Sequence, residues 1–76
     1  MAFDYSKLKG RIIEKYGSQM MFAEAMGLSE RSLSFKLNGK RLWKQNEIYR
    51  AIQLLGLDDS DIQTYFFNHK VQSIEQ

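Results

Sequence analysis

Residues 18–40 read SQMMFAEAMGLSERSLSFKLNGK, and this stretch decides the fold. Ser18 offers a capping hydroxyl ahead of Phe22, Ala23 and Met26, which recur at helical spacing before Gly27. Ser29 then caps a second run in which Leu33 and Leu37 form an i, i+4 apolar pair, and Asn38-Gly39 closes it. Two short helices joined across Met26-Gly27-Leu28-Ser29 make a helix-turn-helix arrangement, spanning about residues 18–38. Ala23 has to be small where the two helices cross, and Leu28 and Leu33 fill the space beneath the turn.

Outward from this centre the chain stays helical. Tyr5, Leu8, Ile12 and Tyr16 form one stripe, with Asp4 or Ser6 as the cap and Gly17 as the stop. Gly10 lies inside that helix, costs it about 1 kcal/mol relative to alanine, and suggests a close approach of a neighbouring element. Ile48, Ala51, Ile52 and Leu55 mark a fourth helix ending at Gly56. Trp43 and Ile48 have the offset of a hydrophobic staple with Glu47 at N3, although the implied cap, Lys44, has no acceptor oxygen. Asp58 to Asp61 place acids at the start of a fifth segment containing Ile62, Tyr65 and Phe66. The expected fold is therefore all-α: a compact five-helix domain over residues 1–76.

Composition sets the class of function. The 76 residues are 43% hydrophobic and 26% charged, with no cysteine and no proline. Disulfides, thiolate metal sites and cysteine nucleophiles are excluded, and a chain this small without staples has to rely on local helical packing. No apolar run approaches the roughly 20 residues of a membrane span, and the N-terminus lacks a secretory pattern, so a cytoplasmic protein is expected. His69 is the sole histidine, there is no phosphate-binding glycine loop, and no nucleophile has an evident partner. An enzyme is not expected, nor is a cofactor, a metal or a small-molecule ligand.

The net charge of +2 hides an uneven distribution. Residues 1–50 carry ten Lys or Arg against five acids, a balance of +5, whereas the remainder carries one against four, a balance of −3. From Arg31 to Lys44 there are five positive charges and no negative one. Such a strip is the footprint of a polyanion binder or a plain solvated face.

The motif in residues 18–40 resembles the helix-turn-helix of the lambdoid phage repressor and Cro type, the large XRE-like family. Gln19, Ala23, Gly27, Leu28, Ser29, Ser32, Leu33, Ser34, Asn38, Gly39 and Lys40 carry the resemblance. The overall chain is similar to small prophage proteins of Gram-positive bacteria. The resemblance implies sequence-specific binding of double-stranded DNA by a transcriptional regulator that acts through operator occupancy, with the third helix in the major groove. Periodicity yields the same division: Leu33 and Leu37 define the buried face, and Arg31, Ser34, Phe35 and Asn38 point away from it.

Four residues are then expected to read bases. Arg31 can bond both O6 and N7 of guanine, and Ser34 can reach a base edge. Glu30 stands where many relatives carry Gln, and either accepts from the amino group of cytosine or stabilises the helix N-terminus. Phe35 either reads a thymine methyl or packs against Trp43 or another subunit. Gln19, Ser29, Ser32, Lys36, Asn38, Lys40, Arg41 and Lys44 are the expected phosphate contacts. Where many relatives pair an Arg with a Glu, this chain has Ile12 and Leu37, so apolar contact replaces that ion pair.

Two further readings concern partners. Tyr65, Phe66 and Phe67 cannot all face one small core, so Phe67, Val71 and Ile74 are a candidate homodimer seam, with residues of about 68–76 as a dimerising or flexible tail. The rival to DNA binding is a protein-binding module on the same scaffold, such as an anti-repressor, with Phe35 and Trp43 as anchors.

Overall fold

The computed structural model describes residues 3–69, and the structural statements below refer to these. They form five α-helices: α1 (Ser6–Tyr16), α2 (Gln19–Met26), α3 (Glu30–Leu37), α4 (Gln45–Leu55) and α5 (Ile62–Phe66), with a 3-10 turn over Asp59–Asp61 leading into α5. The expected all-α, five-helix architecture is present. Val71 and Ile74 of the candidate seam lie outside the described residues.

The helix ends follow the capping chemistry. Asp4, rather than Ser6, tethers the start of α1: its Oδ1 accepts from the Ser6 amide at 2.9 Å. Ser18 Oγ accepts from Met21 N at 3.2 Å, and Ser29 Oγ accepts from Ser32 N at 3.1 Å. Gly27 takes the left-handed backbone, φ 77°, that turns the chain from α2 toward α3. Lys44 is the N-cap of α4, and although its side chain has no acceptor oxygen, the reciprocal half of a capping box is present, since Glu47 Oε1 accepts from Lys44 N at 2.9 Å. The carboxylate of Asp61 does the same for the Asp58 amide.

The core is continuous across all five helices. Leu8 and Ile12 of α1, Phe22 of α2, Leu33 of α3, Ala51 and Leu55 of α4 and Phe66 of α5 are fully or almost fully buried. Full burial of an aliphatic or aromatic side chain of this size stabilises the fold by about 1.5 to 3 kcal/mol. Ile12 and Leu37 both belong to this cluster, as expected of an apolar replacement for an ion pair. Trp43 packs at its edge, meeting Phe66 edge to face with centroids 5.0 Å apart, and its indole nitrogen is buried without a hydrogen-bond partner. Arg11 of α1 donates through Nε and Nη2 to the Leu55 carbonyl, at 3.0 and 2.8 Å, satisfying the C-terminal end of α4.

Two expectations are corrected. A Cβ at Gly10 would meet no atom within 4 Å, so nothing approaches α1 closely there. The α1 stripe faces the core from the opposite side, and Gly10 is exposed. Phe35 does not pack against Trp43, whose ring neighbours are Tyr5 and Phe66.

Candidate functional site: the outer face of the third helix

The Ser29 cap organises the start of α3. Its hydroxyl accepts from the Ser32 amide and donates to the Ser32 hydroxyl at 3.0 Å. Ser32 Oγ also accepts from Arg41 Nη1 at 3.2 Å, which ties the loop after α3 back to the first turn of that helix. Glu30, the first residue of α3, is exposed beside this hydroxyl pair.

Arg31 and Phe35 are one helical turn apart on the face opposite Leu33. The Arg31 guanidinium carbon lies 5.4 Å from the Phe35 ring centroid, and that of Arg41 lies 5.2 Å from it. Both distances fall within cation–π range. The ring is half-buried while both arginines are exposed. Phe35 is thus covered by the guanidinium groups of its own chain, which explains how a large aromatic is kept on the outer face.

Further along α3 the polar groups turn to one another. Asn38 Nδ2 donates to the Ser34 carbonyl at 2.9 Å and to the Ser34 hydroxyl at 3.2 Å. Asn38 Oδ1 accepts from Lys9 Nζ of α1 at 3.2 Å. The Lys40 amide donates to the Phe35 carbonyl at 2.8 Å, leaving the Lys40 side chain exposed. Lys44 is exposed at the start of α4, and Gln19 is half-buried at the start of α2.

Lys36 departs from its expected role as a phosphate contact. It is 3% exposed, and its ammonium sits 2.9 Å from Glu47 Oε1 and donates to the Leu42 carbonyl at 3.1 Å. The side chain clamps the loop between α3 and α4 from beneath instead of reaching outward. Burial pushes the Glu47 carboxyl up, but the Lys44 amide, the Lys36 hydrogen bond and the charges of Lys36 and Lys44 outweigh it, holding Glu47 below the usual carboxylate range. Lys36 lies roughly 60° from Leu33 on a helical wheel, at the border of the buried arc, and that position was the available signal. Glu47 and Lys9 were missed as partners because each is brought to α3 from another helix.

The structure brings Ser29, Arg31, Ser32, Phe35 and Arg41 into one patch. Leu42, the next residue along, is 83% exposed. A second apolar feature, a groove of about 360 Å³, is lined by Trp43, Gln45, Ile48, Tyr49, Ile62 and Phe67. Phe67 is also in edge-to-face contact with Phe3 at 5.6 Å.

A family model described as Protein of unknown function (DUF739) matches residues 1–69. The chain belongs to this family. Among solved structures, this DUF739 chain is similar to the modulator of repression (MOR) of the temperate bacteriophage TP901-1 from Lactococcus lactis. The two share 56% sequence identity over 95% of this chain and 97% of that one, with a TM-score of 0.78. No curated protein matches the chain. None of the helices described in this DUF739 chain is long and apolar enough to cross a membrane.

Proposed function

We propose that the chain is a phage regulatory protein that modulates repression by binding a repressor protein, acting in the bacterial cytoplasm as a binding module and not as an enzyme. The observation that carries this reading is the likeness, along nearly the whole of both chains, to a solved modulator of repression. The chemistry of α3 supports it. Lys36 is consumed by Glu47, Asn38 by Ser34 and Lys9, and the Ser29 and Ser32 hydroxyls by one another and Arg41. Of the cations among the expected phosphate contacts, Lys36 is withdrawn and Lys40, Arg41 and Lys44 stay exposed.

A second reading, operator binding through α3, is favoured by the exposed Arg31, Lys40, Arg41 and Lys44 along one basic stretch. Salt dependence separates the two. The full chain is titrated against the repressor encoded in the same phage genome, and separately against duplex DNA from 50 to 200 mM salt. The protein-binding reading expects a complex with the repressor and only weak duplex binding without sequence preference. Failure to bind the repressor, together with tight operator binding that falls about 10³-fold or more over that salt range, would replace it with the DNA reading.

A further inference from the structure

We infer that the Arg31, Phe35 and Arg41 stack is the docking element for the protein partner, and that the partner presents an apolar side chain flanked by carboxylates. This rests on the protein-binding reading above and deepens it by naming the surface and the chemistry it takes.

Two like charges are held against a single ring, at 5.4 and 5.2 Å from its centroid. Neither guanidinium is paired with a carboxylate among the described residues: Glu14 pairs with Arg11 and Glu47 with Lys36. Among the described residues the Arg31 side chain makes no hydrogen bond, and that of Arg41 makes a single one, to the neutral Ser32 hydroxyl. The group that such a site lacks is an anion. Stacking on Phe35 restricts both planar forks before a partner arrives, so less side-chain entropy is lost when their N–H edges meet carboxylates in bidentate fashion.

Protein fits this patch better than duplex DNA. An aromatic ring flanked by arginines is the composition of an interface hot spot, with the ring as the apolar centre and the charges as its rim. Leu42, almost fully exposed beside Arg41, extends the apolar character and has no use against a phosphate. A phosphate approaching the N-terminus of α3 would meet the exposed Glu30 carboxylate and a Ser29–Ser32 hydroxyl pair already bonded internally.

The test is calorimetric titration of the full chain and its variants against the repressor from the same phage genome, with a duplex carrying that phage's operator as the second titrant. Arg31→Ala and Arg41→Ala are each expected to weaken repressor binding about tenfold, and Phe35→Ala by at least as much. Tyr49→Ala, in the groove beside Trp43, is expected to leave affinity unchanged. Arg31→Lys keeps the charge but not the planar fork, and a several-fold loss with an unchanged melting temperature would separate docking from folding. Arg41→Lys also places an amine in the patch, so carbodiimide coupling followed by mass spectrometry is expected to join position 41 to an Asp or Glu of the repressor. Repressor binding that is lost in Tyr49→Ala but intact in the three stack variants would overturn the assignment while leaving the proposed function standing. If the wild-type chain ignores the repressor and binds the duplex through Arg31, both readings fall together.

Discussion

Lys36 shows how much one side chain's direction matters. Its charge belongs to the basic stretch from Arg31 to Lys44, yet its ammonium is spent on Glu47 and the Leu42 carbonyl beneath the loop. Replacing one partner of a buried ion pair leaves the other desolvated and unpaired, which costs about 3 to 5 kcal/mol, whereas replacing both with apolar groups is often close to neutral. Lys36→Met is therefore expected to lower stability by about 3 kcal/mol in urea unfolding, and adding Glu47→Leu to recover only part of that loss, because Glu47 Oε1 also accepts from the Lys44 amide at the start of α4. A Lys36→Met protein with unchanged stability would show that the pair is not holding the loop. Phe35 teaches the complementary lesson: its i, i+4 relation to Arg31 was legible in the spacing, but the covering by Arg41 required the loop after α3 to fold back.

At the scale of elements, capping and periodicity carried the reading. Ser18, Gly27 and Ser29 stand at helix boundaries because hydroxyl caps and a left-handed glycine solve local problems that the chain meets within a few residues. Gly10 is the exception. The reading of it as a close-approach residue failed because space around a helix is decided by what packs on it, and the exposed side of α1 meets nothing there. Its backbone is not in the left-handed region, so alanine fits without strain. Gly10→Ala is expected to raise stability by about 0.5 to 1 kcal/mol and the melting temperature by a few degrees, read by circular dichroism. A fall in melting temperature would mean that the glycine serves a purpose that the packing of α1 does not reveal.

For the whole molecule, charge is segregated and the loop clamp makes stability depend on pH. Glu47 titrates below the usual carboxylate range in the folded chain. Its contribution is therefore fully present above the unfolded value, near 4.5, and is lost as pH falls through the lower folded value. Stability measured from pH 7 down to pH 3 is expected to decline on this acid side, and Glu47→Gln to flatten the decline while lowering stability at pH 7. An identical acid limb in both proteins would remove Glu47 from the account. The five-helix architecture, the helix-turn-helix and the apolar face of each helix were written in the chain, because apolar period and capping act over distances of three to five residues. The candidate site was legible only as a region. Which of its cations face outward was decided by tertiary structure, because a charge is turned inward only when another helix delivers the group that neutralises it. Lys36 found Glu47 on α4, while Arg31 and Arg41 found only Phe35 and a hydroxyl and stayed at the surface.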